Sequence, residues 1–184
     1  SHYNVRALMR YLLQSEEFYS AEAYRNKIKS PVELVIGTLR SLSAETDGKT
    51  LPRTISQMGQ TLFDPPDVSG WSEGLAWINS TTLLGRINFA RSITKDNAKG
   101  TSIDWGQGSA SFDEMNLTGR ATIKYFSNVF LDGRIDTDDQ RILNSYVDHF
   151  NGETSRNTLA APSQEQLIRS VAYLVMASPD YQLA

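Results

Sequence analysis

Ser30-Pro31-Val32-Glu33-Leu34-Val35-Ile36-Gly37-Thr38-Leu39 announces a helix from its first residue. Ser30 stands at the N-cap, Pro31 at the first helical position and Glu33 three residues after the cap, the pattern of a capping box. Proline suits that place because its missing N–H would have had no intrahelical partner. Val32, Val35, Ile36 and Leu39 follow at the spacing of one buried face,. The helix is expected to end near Leu42, ahead of the turn-forming Thr46-Asp47-Gly48,.

The same grammar extends in both directions. Upstream, residues 4–14 place Val5, Leu8, Met9 and Leu12 at helical spacing, and Ser15-Glu16-Glu17-Phe18-Tyr19 reads as a cap and turn,. Downstream, residues 51–60 read as a shorter helix carrying Ile55 and Met58, and residues 77–93 as a helix through Leu83, Leu84, Ile87 and Ala90. Residues 118–130 carry Ile123, Phe126, Val129 and Phe130 on one face. Thr137-Asp138-Asp139-Gln140 and Ser163-Gln164-Glu165-Gln166 are two more capping-box patterns,. Ile142, Leu143, Tyr146, Val147 and Phe150 follow the first; Leu167, Val171, Leu174 and Val175 follow the second, which stops around Ser178-Pro179. No stretch alternates polar and apolar residues as a half-buried strand would. The expectation is an all-α fold, an irregular bundle of about five to seven helices, in one domain over residues 1–184. Residues 95–117, rich in Gly, Ser, Asn and Asp, read as a flexible or loop-rich connection,.

One segment interrupts the pattern. Leu62-Phe63-Asp64-Pro65-Pro66-Asp67-Val68-Ser69-Gly70-Trp71 holds two adjacent prolines, which forbid a regular helix,. It reads as an ordered Pro-rich loop held by aromatic anchors.

Composition bounds the chemistry. The chain has 184 residues, 18 basic against 21 acidic, a net charge of −3, no cysteine, and histidine only at positions 2 and 149. Disulfides, thiolate zinc sites, iron–sulfur clusters and cysteine nucleophiles are excluded. The small negative balance lacks the basic footprint of a nucleic-acid binder. No apolar run approaches the ~20 residues that span a bilayer. There is no Gly-x-Ser-x-Gly elbow and no Gly-x-x-x-x-Gly-Lys phosphate loop,. Gly106-Gln107-Gly108 lacks the strand and helix of a nucleotide fingerprint, and Trp105 beside it reads as a loop anchor,. No cofactor and no metal is expected.

The 64–77 loop is the leading candidate site. It concentrates Asp64, Asp67, Glu73, Trp71 and Trp77 in one stiffened segment. Two carboxylates beside tryptophan rings suit glycoside hydrolysis or sugar stacking. The structural reading has Phe63 and Trp71 plugging the core and Asp67 capping a turn. Residues 128–139 resemble a worn calcium loop, with Gly133 sixth, Ile135 eighth and Asp139 twelfth, but Phe130 at the third position offers no ligand,. A turn at Asp132-Gly133 followed by a cap at Asp136 or Thr137 explains the same residues. His149 beside Asp148 is a conceivable base, or an exposed residue near a helix C-terminus.

Three segments together resemble a known family. They are Ser30-Pro31-Val32-Glu33-Leu34-Val35; Met58 through Trp71, continuing to Ala76-Trp77-Ile78-Asn79 and Leu83-Leu84-Gly85-Arg86; and Leu174 through Gln182. The pattern is similar to the C-terminal part of the bacterial domain of unknown function 1800. Ser72-Glu73-Gly74 stands where members often carry Pro-Gly-Gly. The resemblance implies an exported protein, periplasmic or secreted, and supplies no activity and no catalytic residues. Members are longer, and the chain opens almost inside a helix without a signal peptide or initiator Met, so a C-terminal fragment preceded by a Ser1-His2 tag scar is expected,. The functional expectation is a non-catalytic structural or interaction module with a protein or polysaccharide partner at the cell envelope. The alternative is a carboxylate-dependent hydrolase acting on glycans through Asp64, Asp67, Glu73 and Asp104.

Overall fold

The structure is a computed structural model that describes residues 3–105, 119–156 and 163–184. Gly106-Gln107-Gly108, the rest of the 106–117 connection and the start of the 118–130 segment lie outside the described residues, as do Ser1 and His2. Among the described residues there are seven α-helices: α1 (Val5–Gln14), α2 (Pro31–Ser41), α3 (Leu51–Gln57), α4 (Ser80–Thr94), α5 (Gly119–Leu131), α6 (Thr137–Arg156) and α7 (Gln164–Ala177). A two-residue antiparallel pair joins Glu45–Thr46 to Thr101–Ser102, with Thr46 opposite Thr101. It is too short for strand alternation to show in sequence, and the fold is mostly helical with irregular packing.

The helix starts follow side-chain chemistry. The Ser30 hydroxyl accepts from the Glu33 amide and Glu33 answers the Ser30 amide, a complete capping box at α2,. Ser163 and Gln166 do the same for α7. At α6 the cap is Asp136, whose carboxylate accepts from the Asp138 amide at 2.8 Å, so Thr137 is the first helical residue,.

The core is built on α7, which packs against α4 and α5. Leu167, Ile168, Val171, Ala172, Val175 and Met176 are its buried stripe. From α5, Phe126 and Phe130 stack at 5.6 Å between centroids, and Phe130 meets Tyr181 edge-on at 5.0 Å. Each fully buried side chain of this size contributes roughly 1.5–3 kcal/mol. Gly119 opens α5 because any Cβ there would strike Val147 of α6.

Three helices differ from the periodicity reading at particular positions. In α2, Leu34 and Thr38 join Val35 and Leu39 in the interior, while Val32 and Ile36 are half-buried. In α4 the buried stripe is Thr82, Arg86, Phe89, Ala90 and Ile93; Leu83 and Leu84 face solvent. In α6, Ile142 is exposed beside buried Leu143 and Val147. The α4 case has a clear cause. Trp77 fills the interior just before the helix, and its carbonyl accepts from the Thr82 hydroxyl at 2.9 Å. That bond fixes the rotation of α4 about its axis, and the next inward position after Thr82 is Arg86. No helix among the described residues is long and apolar enough to cross a membrane.

Candidate functional site

The Pro-rich loop is tied at both ends and free in the middle. At its start, the Gln60 side chain accepts from the Val32 amide at 3.0 Å, and Ser56 bonds Thr61 at 3.0 Å. At its end, a short 3-10 turn (Gly74–Trp77) delivers Trp77 to the interior, and Asn79 caps α4 by accepting from the Thr81 and Thr82 amides. The Trp-Ile-Asn run is therefore a plug followed by a cap. In between, Asp67 accepts from the Ser69 amide at 2.7 Å and closes a tight turn to Gly70, whose φ of 94° favours glycine,.

Phe63 departs from expectation. It does not plug the core: it is 99 % exposed, with a positive φ of 62° that bulky residues rarely adopt,. Leu62 takes the packing role instead, half-buried against the core. Trp71 is half-buried, and its indole Nε1 is shielded from solvent without a hydrogen-bond partner among the described residues.

Beside the loop runs a cleft of about 1040 Å³. Trp71, Glu73, Leu75 and Trp77 form one wall; Asn26, Lys27, Ile28, Ser30 and Leu183 form the other. Of the five candidate residues, the structure brings Trp71, Glu73 and Trp77 to this cleft. Asp64 and Asp67 stand exposed outside it, and Asp104 is not among its lining residues. Glu73 is thus the only carboxylate among the described lining residues.

The opposite wall rests on three cations that periodicity did not reveal. Residues 27–29 pair with the closing segment: the Lys29 amide donates to the Gln182 carbonyl at 2.8 Å and the Ala184 amide to the Lys27 carbonyl at 2.7 Å. Below them Arg86, 2 % exposed, donates through its terminal nitrogens to the Lys29 carbonyl at 2.8 Å and the Gln182 side-chain oxygen at 3.3 Å. Its Nε has no partner among the described residues, and burial lowers its pKa to about 10. Lys29 donates to the Tyr181 carbonyl at 2.9 Å and lies 3.9 Å over the Tyr181 ring,. Burial, with Arg25 nearby, lowers its pKa to about 8. Arg25 grips the Asp180 and Leu183 carbonyls at 3.1 and 2.9 Å and pairs with Asp132 at 3.1 Å. The sequence signal for Arg86 was its place four residues after Thr82; two leucines beside it drew the apolar reading instead.

The other candidates are occupied structurally. Asp132 holds Arg25 and the Tyr24 hydroxyl, Gly133 closes the α5 terminus with its amide on the Ser127 carbonyl, and Asp136 caps α6. Among the described residues no group of three or more His, Asp or Glu side chains is placed to hold a metal ion. His149 is exposed. A second cleft, about 760 Å³, lies between the end of α4 and the start of α7. Arg169 there pairs with Asp96 at 2.5 Å and Glu165 at 2.6 Å, so these charges are spent on each other.

No curated protein and no solved structure matches the chain. A family model does, over residues 1–183, and it takes in every segment that builds the plug, the cap and the closing wall described above: the chain belongs to the family described as Protein of unknown function (DUF1800).

Proposed function

We propose that this chain is a non-catalytic interaction module of an exported bacterial protein, with the 62–77 loop as the surface that meets a partner protein. The observation that carries this reading is the exposure of three apolar side chains on one stiffened element. Phe63, Val68 and Leu75 are 99, 107 and 81 % exposed. Such side chains on a segment anchored at both ends favour binding, because little chain entropy is lost on docking. The strained backbone at Phe63 supports it too, since nothing in the core pulls that ring outward. A paired-carboxylate hydrolase finds less support, with Glu73 alone at the cleft,. Export rests on the family resemblance.

The test is recovery of a complex under gentle extraction from the native source. The wild-type chain should retain a partner that the Phe63→Ser, Val68→Ser, Leu75→Ser variant loses. A solitary wild-type chain, or a complex indifferent to the triple substitution, contradicts the reading. Half-buried Trp71 favours a second reading, a sugar-stacking platform,; glycan-array binding abolished by Trp71→Ala supports that one, and binding that survives the substitution excludes it.

A further inference from the structure

Among the described residues, nothing covers helix α1. It is ten residues long and buries none of them. Isolated helices shorter than ~12–15 residues are marginal in water, so tertiary packing has to supply what propensity does not. Yet Val5, Leu8, Met9 and Leu12 form a continuous apolar stripe that is 42–68 % exposed. Arg6 and Arg10 flank that stripe along one edge,. One turn apart, they are both exposed, their guanidinium groups take part in no hydrogen bond or ion pair among the described residues, and they have no acidic residue beside them on the helix.

The 62–77 loop is the counterpart in both respects. It is apolar and exposed at Phe63, Val68 and Leu75, and its charged residues are Asp64, Asp67 and Glu73, with no Lys or Arg among them. The carboxylates of Asp64 and Glu73 carry no hydrogen bond or ion pair among the described residues. One chain therefore displays a basic amphipathic helix and an acidic apolar loop, each uncovered among the described residues. Resting on the reading of the loop as a docking surface, we propose that the occupant is α1 of a second copy of this chain. Arg6 and Arg10 of one copy face the acidic residues of the other's loop, and the apolar stripe covers Phe63 and Leu75. When both copies exchange helices this way, the contact closes with two-fold symmetry and leaves neither face exposed. An anionic lipid surface explains the helix but not the acidic loop: ten residues with two cations make a thin anchor, and the loop would be repelled.

The experiment is sedimentation velocity of the 184-residue chain over a range of concentrations, with two charge-reversed forms. One carries Arg6→Glu and Arg10→Glu; the other carries Asp64→Lys and Glu73→Lys. All four positions are exposed, so folding is retained and is checked by circular dichroism. The wild type should dimerise reversibly, more weakly in high salt. Each reversed form alone should self-associate about tenfold more weakly or worse, since several exposed charge pairs are inverted together. Mixing the two reversed forms should restore the dimer, because both helix–loop contacts in the mixed pair are again complementary. A wild type that stays monomeric at every concentration overturns the proposal, as does a dimer indifferent to either reversal or a mixture that fails to recover. Flotation with anionic phosphatidylserine vesicles that is lost on Arg6→Glu and Arg10→Glu, without recovery on mixing, reassigns α1 to lipid and also overturns it. The module reading fails separately: if the dimer is absent but the native complex still depends on Phe63, the loop is a docking surface for another protein.

Discussion

Helices α1 and α2 are written in the same code and end in opposite situations. Both begin on a polar cap, Asn4 accepting from the Ala7 amide at 3.1 Å and Ser30 from the Glu33 amide at 3.3 Å. Both carry apolar residues at three- and four-residue spacing. Yet α2 buries Pro31, Leu34, Val35, Thr38 and Leu39, and α1 buries nothing. Periodicity and capping specify that a helix forms and which stripe it offers. What covers the stripe is a property of the rest of the molecule, or of another one.

The comparison is most exposed to failure in the core. Leu34→Ala should cost about 2–5 kcal/mol of unfolding free energy, transfer plus cavity, whereas Leu8→Ala in dilute solution should stay within about 0.5 kcal/mol. Urea denaturation reads both. A comparable loss from Leu8→Ala would mean that α1 is already covered within its own chain.

Arg86 sharpens the same contrast from the polar side. It is the buried cation that joins the 27–30 segment to Gln182. Arg86→Met strands those acceptors and should cost about 1–3 kcal/mol. Arg86→Lys should not restore the loss, because an ammonium cannot reach two divergent acceptors as a planar fork does. Full stability in the lysine variant would show that charge, not the fork, is what the wall needs. Arg6→Met on α1 should leave unfolding unchanged.

Caps give a smaller effect with the same logic. Ser30→Ala should lose about 1 kcal/mol of global stability. Asn4→Ala removes the same kind of bond but should show only as lower helicity by circular dichroism, because α1 is not coupled to the cooperative unit. A further effect is in pH. The Lys29 pKa is lowered in the folded chain, from 10.5 to about 8, so the folded state gives up its proton first. Below pH 8 the penalty is fully present; between about pH 8 and 10.5 the unfolded chain binds more protons and stability rises,. Lys29→Met should remove that rise in denaturant midpoint, and a rise that persists would place its origin elsewhere.

Much of the helical fold was readable because its signals are local. The capping boxes at Ser30 and Ser163, the double proline at 65 and 66 and the stripe of α7 each depend on residues within a turn or two. The inward faces of α2, α4 and α6 were harder, since each helix had apolar residues to spare. A side-chain bond that periodicity does not register, Thr82 to the Trp77 carbonyl, picks Arg86 over Leu83 and Leu84. The candidate site was legible in the same proportion. The loop, set off by its double proline, followed from sequence, and so did the turn at Asp67; the burial of Trp77 did not, since spacing puts it at the head of a helix over 77–93 and leaves the plug to Phe63 and Trp71. Phe63 did not, because hydrophobicity alone says core; nor did Arg25, Lys29 and Arg86, whose meeting at the closing segment joins residues far apart in the chain.

Amide hydrogen exchange as a function of protein concentration tests the central claim most directly. Dilute, α1 should exchange near the rate of unstructured chain while α2 is strongly protected. Concentrated, α1 and the 62–77 loop should gain protection together, and lose it together when Arg6 and Arg10 are reversed to Glu. Protection of α1 that is already high when dilute, or that never responds to concentration, would contradict the account.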